Sequence, residues 1–354
     1  MKALITSGGK GTRLRPITHT QNKHLIPIAN KPILHYAIES IAEAGIKEMG
    51  IVINADNDDV AKAIGNGERW GVQIQYIPQE APLGLAHVVK ISQEFIGDDP
   101  FIFYLGDNMV IGGVQRFVEK FRKEKSNCHL TISKVKDPSR FGVPDIKGDK
   151  IVGVEEKPKH PKSEFAVAGI YLYDKSIFEA VNAIEPSARG ELEISDAHQY
   201  LLEHDFKITF SEITGWWKDT GKPEDLLEAN RLVLSTLKGQ VAGMVDNSST
   251  IAGEVSVGKG SKILASHIRG PVIIGENTSI ENSYVGPYTS ILDKTQLRNS
   301  EVEFSIIMEN CRIENVGIRI ESSILGSNVD ILKARGIPKT HRFILGTQSM
   351  VELF

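Results

Sequence analysis

The chain has 354 residues, 41% of them apolar and 24% charged, with a net charge of −4. That composition describes a globular chain of about two domains, and the small acidic excess excludes a global basic field for nucleic acid. Cys128 and Cys311 lie too far apart for a metal or redox motif, and no apolar run approaches membrane-spanning length.

Met1-Lys2 enters the first apolar run directly, with no signal sequence ahead of it, so a cytoplasmic protein with reduced thiols is expected. That run, Ala3–Ile5, reads as a buried strand, followed at once by Gly8, Gly9 and Gly11. Glycine permits a tight turn and lets backbone N–H groups approach an anion. Arg13 then supplies a cationic fork suited to phosphate oxygens, and Pro16 prevents a continuous helix. The dinucleotide fingerprint fails because Leu14 stands where its third glycine belongs. The P-loop fails because Thr12 and Arg13 follow Gly11. A flexible surface turn remains the alternative for the glycine run alone.

Strands are expected at Ala3–Thr6, Met49–Asn54, Gln73–Pro78 and Phe101–Leu105, and helices at Ile33–Ala44, Asp58–Ile64, Leu85–Ser92 and Val114–Lys123. This alternation predicts an α/β fold with a mostly parallel sheet, whose ligands lie beyond the carboxyl ends of the strands. Further strands are expected at His129–Val135, Ile151–Glu155, Ala168–Tyr173 and Phe206–Glu212, and helices at Lys175–Ala183, Ser195–Glu203 and Glu224–Leu237. No low-complexity linker intervenes, so residues 1–237 read as one domain with an insertion.

From Val241 the texture changes. Val257, Ile274, Ile291, Met308 and Leu325 recur every 17 residues, and within a period the apolar positions step by six, six and five. This predicts a left-handed parallel β-helix of the hexapeptide type over 241–354, with three short strands per coil. A sandwich would need longer, alternating strands. A solenoid also needs a covered end. Leu332–Arg335 and a tail strand at Arg342–Leu345 are the expected C-terminal cap, and the flat sides suit a homo-oligomer.

Several segments carry candidate chemistry. Gly106-Asp107-Asn108 ends an apolar strand, where a carboxylate can hold Mg²⁺ or satisfy a turn. Trp217-Lys218-Asp219-Thr220-Gly221 offers a second carboxylate, or a cap for the helix after Pro223. Gln79, Pro82 and Gly84 form a β–α loop in which an amide could pair with a pyrimidine edge. Glu156-Lys157-Pro158 is either a charged turn or a sugar-phosphate contact. Phe141-Gly142-Val143, Ala166-Val167-Ala168-Gly169 and Arg189–Asp196 complete the set. In the last, Ser195 or Asp196 could simply cap a helix.

The string Gly8-Gly9-Lys10-Gly11-Thr12-Arg13-Leu14, then Lys23-His24-Leu25-Ile26-Pro27 and Lys31-Pro32, resembles the sugar-1-phosphate nucleotidylyltransferases, and within them the long-form glucose-1-phosphate thymidylyltransferases. Six separated motifs occur in the family's order over 1–237. His24 departs from the glutamine often found there. The resemblance implies a catalytic domain with a Rossmann-like fold over 1–237. It implies dTTP and glucose 1-phosphate as substrates, Mg²⁺ as cofactor, and neither nucleic acid nor membrane as partner. It places Gly8, Gly9, Gly11, Thr12, Arg13, Gln79, Pro82, Gly84 and Asp107 at the nucleotide, and Gly142, Glu156, Lys157 and Val167 at the sugar. Arg13, Lys23 and Lys157 would be catalytic, and Asp107 and Asp219 metal ligands. A UTP-dependent enzyme, a bifunctional enzyme with acetyltransferase activity in the β-helix (His267, His341) and a non-catalytic regulatory subunit are the rival readings. Thymine and uracil share one edge, so the residues alone do not separate them.

Overall fold

The first apolar run forms the strand Lys2–Thr6 in the interior of a seven-stranded sheet. In spatial order the strands are Ile208–Glu212, Cys128–Lys134, Phe165–Tyr173, Phe101–Leu105, Lys2–Thr6, Glu48–Asn54 and Gln73–Gln79. Lys2–Thr6 is parallel to both its neighbours. Phe165–Tyr173 is antiparallel to both of its own, so the sheet is mixed. The cause is local: this strand is reached through the hairpin Gly142–Lys147/Lys150–Glu156, and a parallel connection would need a crossover segment instead. That hairpin's first strand was not expected from the sequence. The computed structural model describes residues 1–9, 11–333 and 341–353.

The chain divides into two compact units, Met1–Lys10 with Ile33–Asp219, and Gly11–Pro32 with Thr220–Phe354. In the first, the central strands are apolar on both faces because helices cover both. Phe101 stacks on Phe178, and Phe103 on Tyr171, with ring centroids 5.9 and 5.7 Å apart. Such pairs are worth about 0.5–1.5 kcal/mol beyond simple burial. The core also encloses His198, whose Nε2 is hydrogen-bonded to the Tyr173 hydroxyl at 2.6 Å.

In the second unit, three parallel sheets form a left-handed β-helix. Ile263 pairs with Ile280, Ile268 with Val285, and Ile274 with Ile291, each one coil of 17 residues on. The expected constant period breaks after that. Ile291 pairs with Ile307, not Met308, and Ile307 with Leu325. The corner Glu303-Phe304-Ser305 has one residue fewer than its predecessor, and the corner 314–319 has two more. Met308 is nonetheless buried beside the column. The corners demand a left-handed backbone, which asparagine tolerates better than most residues. Asn282, Asn299 and Asn315 occupy one such corner at φ 46, 48 and 59°, and their side-chain amides hydrogen-bond in series at 2.8 and 2.7 Å.

The N-terminal excursion within this unit is built of short 3₁₀ turns, Thr12–Leu14, Ile17–His19 and Lys23–Leu25. Asn30 Nδ2 donates to the Ile291 carbonyl at 2.7 Å, while Asn230 Oδ1 accepts from the Ala29 N–H at 2.8 Å. Segment 11–32 is therefore tied both to the solenoid and to the helix Pro223–Leu234. The tail strand expected at Arg342–Leu345 does not form. Phe343, Ile344 and Leu345 are exposed, and no strand pairs with them; without a ladder partner an extended segment is not a strand. Of the closing segment Leu332–Arg335, Leu332 ends a strand, and residues 334 and 335 lie outside the described residues.

Candidate active site

A two-stranded ladder brings the segments that carry Asp107 and Asp219 side by side. Asn108–Val110 pairs antiparallel with Trp217–Asp219, and Asp219 stands in register with Asn108. Neither short strand was expected from the sequence. Asn108 is the support of this arrangement. It is buried, and its Oδ1 accepts from Trp217 Nε1 at 2.7 Å and from the Gly169 N–H at 3.2 Å. Its Nδ2 donates to Asp107 Oδ1 at 2.8 Å, so the buried amide orients the carboxylate beside it. The helix that follows is capped at Lys222, which removes Asp219 as its cap.

The two carboxylates supply hard oxygen donors. Among the described residues no group of three or more His, Cys, Asp or Glu side chains forms an all-protein cage. That donor set fits Mg²⁺, which is usually held by one or two carboxylates and completes its shell with water and phosphate. A common acidic field marks the region: burial raises the pKa of the Tyr171 phenol, and Glu156, Asp107, Cys128 and Asp219 raise it further.

The sugar-side candidates also converge. Gly142 lies opposite Glu156 in the hairpin register. A Cβ on Gly142 would sit 2.8 Å from Ser195 Oγ, 3.5 Å from Glu156 Oε2 and 3.9 Å from the Val167 Cβ, so a side chain there would push the Ser195 hydroxyl aside. Ser195 does not cap its helix: the cap is Glu193, and the Ser195 hydroxyl donates to Glu156 Oε2 at 2.8 Å. Asp196 is not the cap either; burial, Glu193 and Glu156 raise its pKa. Lys157 Nζ pairs with Glu156 Oε1 at 3.0 Å. Its backbone is left-handed (φ 44°) and anchored by its N–H to the Phe141 carbonyl at 2.9 Å. Arg189 closes the cluster, 2.7 Å from Glu193 and 3.5 Å from Glu156.

The nucleotide-side candidates divide. Gly8 and Gln79 adjoin in the first unit, a Cβ on Gly8 falling 3.4 Å from Gln79 Oε1. The Gln79 side chain is buried and lies 3.0 Å from His87 Nδ1, a contact invisible in the sequence. Pro82 lies in the loop between Gln79 and the helix Leu85–Ile91. Gly84 serves the packing of that loop: at φ 100°, its Cβ would strike the Leu192 carbonyl at 2.4 Å. Gly9 has open space around it. In the second unit Gly11, Thr12, Arg13 and Lys23 form one compact loop. Thr18 Oγ1 donates to the Gly11 carbonyl at 2.8 Å, and Lys23 is buried.

Residues 2–236 match the nucleotidyl transferase family. Over all 354 residues the chain is 47% identical to a glucose-1-phosphate thymidylyltransferase of Streptomyces griseus, covering 99% of it. A bifunctional protein GlmU of Methanocaldococcus jannaschii is 33% identical over 93% of this chain and 78% of its own length. Among solved structures, a Bacillus anthracis chain described as a glucose-1-phosphate thymidylyltransferase superimposes with a TM-score of 0.64 at 38% identity, covering 68% of this chain and 98% of that one. A UDP-glucose pyrophosphorylase with UDP-glucose gives 0.59 at 26%, covering 66% and 98%. With a full-length match at this identity and a β-helix after the catalytic fold, the chain belongs to the nucleotidyl transferase family, as a long-form member of its glucose-1-phosphate thymidylyltransferases.

Proposed function

We propose that this enzyme transfers a thymidylyl group from dTTP to glucose 1-phosphate, forming dTDP-glucose and pyrophosphate. The reading is carried by the ladder that pairs Asp219 with Asn108, the residue next to Asp107, in a chain matching a thymidylyltransferase end to end. The sugar phosphate is already an anion, so its oxygen attacks the α-phosphorus without a general base. Catalysis is then positioning and charge neutralisation.

Asp107 and Asp219 would hold Mg²⁺, which when bound offsets phosphate charge. Arg13 and Lys23 are assigned to the leaving pyrophosphate, with Gly8, Gly9, Gly11 and Thr12 giving backbone N–H groups to the triphosphate. Gln79, with Pro82 and Gly84 in its loop, is assigned to the base. Glu156 accepts from sugar hydroxyls, its carboxylate already oriented by Ser195, and Gly142 and Val167 frame the sugar. Lys157, now paired with Glu156, turns its charge to the sugar 1-phosphate. Residues 1–237 are the proposed catalytic domain and 241–354 the solenoid, whose sides suit self-assembly. Location in the cytoplasm is part of the same proposal; among the described residues no helix is long and apolar enough to cross a membrane.

An acetyltransferase activity has less support. His267 Nδ1 lies 2.5 Å from Thr250 Oγ1 in the solenoid, a hydroxyl rather than a carboxylate partner, and His341 stacks on Phe343. The test is purified protein with Mg²⁺, glucose 1-phosphate and each nucleoside triphosphate in turn, scored by pyrophosphate release. Highest kcat/KM with dTTP is expected. Preference for UTP would overturn the assignment.

A further inference from the structure

We infer that His87 is a positioning residue that locks the side-chain amide of Gln79 and thereby makes the enzyme discriminate against cytosine. The inference rests on the reading that Gln79 meets the base. Gln79 closes its strand with a buried side chain, and its Nε2 lies 3.0 Å from His87 Nδ1 on the helix Leu85–Ile91. An amide nitrogen only donates, so Nδ1 is the bare nitrogen of the ring and the proton sits on Nε2. Burial, and then Lys90, lowers the basicity of His87 and favours that neutral form.

The contact commits one of the two amide N–H groups. It also fixes Oε1 on the side of Gly8, where a Cβ would come within 3.4 Å of it. What remains for a ligand is one N–H and one oxygen in a set order. Thymine and uracil carry a hydrogen on N3 between two carbonyls, so N3–H meets Oε1 while a carbonyl meets the free N–H. Cytosine in the same pose brings its bare N3 against Oε1, oxygen lone pairs against nitrogen lone pair. An amide free to turn over would instead present its NH₂ to N3 and its oxygen to the exocyclic amine. Turning over breaks the bond to His87 as long as the ring keeps its proton on Nε2, because Oε1 cannot donate to a bare Nδ1. Selectivity for N3–H pyrimidines thus follows from a residue that need not touch the base.

The experiment compares kcat/KM for dTTP and dCTP in the full-length enzyme and four variants. His87→Leu and His87→Ala both remove the acceptor. His87→Asn restores it, since Asn Oδ1 falls near the place of Nδ1. Gln79→Leu controls for the base site. The expected result is a dTTP/dCTP ratio lowered roughly 10-fold or more in His87→Leu and His87→Ala, the scale of a single misaligned polar contact in recognition. The change should appear in KM, with kcat at saturating dTTP kept within a few-fold, and His87→Asn should return the ratio toward that of the parent. An unchanged ratio in the Leu and Ala variants, alongside a raised dTTP KM in Gln79→Leu, would overturn the role of His87 and leave the base site standing. A ratio that falls equally in His87→Asn would reduce His87 to packing. An unchanged dTTP KM in Gln79→Leu would overturn the base site and the inference together.

Discussion

The two compact units use polar residues in opposite ways. In the α/β unit each buried polar side chain has a unique neighbourhood. Asn108 joins Trp217, Gly169 and Asp107, three partners from separate parts of the chain. In the solenoid a polar side chain belongs to a column. Ser249, Ser266, Ser283 and Ser300 each accept from a backbone N–H one coil later, at 3.0, 3.1, 3.3 and 3.1 Å. A repeated environment asks only for a residue of the right kind at each level, whereas a unique one asks for a particular atom.

The contrast is broken most severely if isosteric changes at Asp107 or Asp219 are tolerated. Asp107→Asn and Asp219→Asn keep size and remove a charge that Mg²⁺ needs. Turnover with dTTP should fall at least about 10²–10³-fold, the scale of a lost preorganised electrostatic contact, while the melting temperature stays near that of the parent. Steady-state assays with Mg²⁺ titration decide it, and near-normal turnover in both variants would reject the metal assignment.

Lys157→Met is next in size. Two anionic reactants must meet, and their repulsion grows as water is excluded. Methionine keeps much of the side-chain length without the charge, so a loss of about 2–4 kcal/mol in transition-state stabilisation is expected. It should appear when glucose 1-phosphate is varied, with dTTP binding less affected. Weakened dTTP binding with unchanged sugar-phosphate kinetics would show the two substrates oriented the other way round.

Much of this was legible beforehand, for identifiable reasons. The strand Phe101–Leu105 is five apolar residues between Pro100 and Gly106, and the solenoid's inward aliphatics obey a period that pattern alone reveals. The short ladder holding Asp107 and Asp219 was not legible. Asn108–Val110 and Trp217–Asp219 have three residues each, and only their pairing makes them strands. The contact between His87 and Gln79 was hidden likewise, because a histidine inside an apolar helix pattern carries no mark of what it faces. Met308 misled because equal spacing was extended through a corner that had lost a residue. The cap remained an open reading for Ser195 or Asp196 because local rules see four residues, while the partner of Ser195, Glu156, lies 39 positions away.

Acid should weaken the α/β unit in a defined window. His198 and His129 are buried, and burial lowers their pKa to about 3 and about 4 from the usual 6.5. Both stay neutral in the fold while the unfolded chain protonates them, so stability is complete above pH 6.5 and falls below it. Each contributes a slope of about 1.4 kcal/mol per pH unit once the unfolded form is protonated. Replacing His198 with Phe should flatten part of the slope in urea melts between pH 6.5 and 4.5. An unchanged slope would place the acid sensitivity elsewhere.

The smallest effect belongs to Cys311, and it sharpens the contrast from the solenoid side. Ser261, Thr278 and Thr295 stand one above another in a buried column, each hydroxyl donating to a carbonyl of the next coil, at 2.7, 3.0 and 3.1 Å. Cys311 is the next level: its Sγ lies 3.1 Å from the Gly326 carbonyl, and its N–H donates to Thr295 Oγ1 at 3.3 Å. A thiol is a weak donor, so it does less well what the hydroxyls below it do. Cys311→Ser supplies the stronger donor and loses little volume, and stability should change by no more than about 1 kcal/mol. Cys311→Val fills the space but offers no donor, and should cost about 1–3 kcal/mol through the unpartnered carbonyl. Denaturant unfolding of the two variants compares them directly. A Ser variant weaker than the Val variant would mean that this level is held by apolar packing, and that the column ends at Thr295.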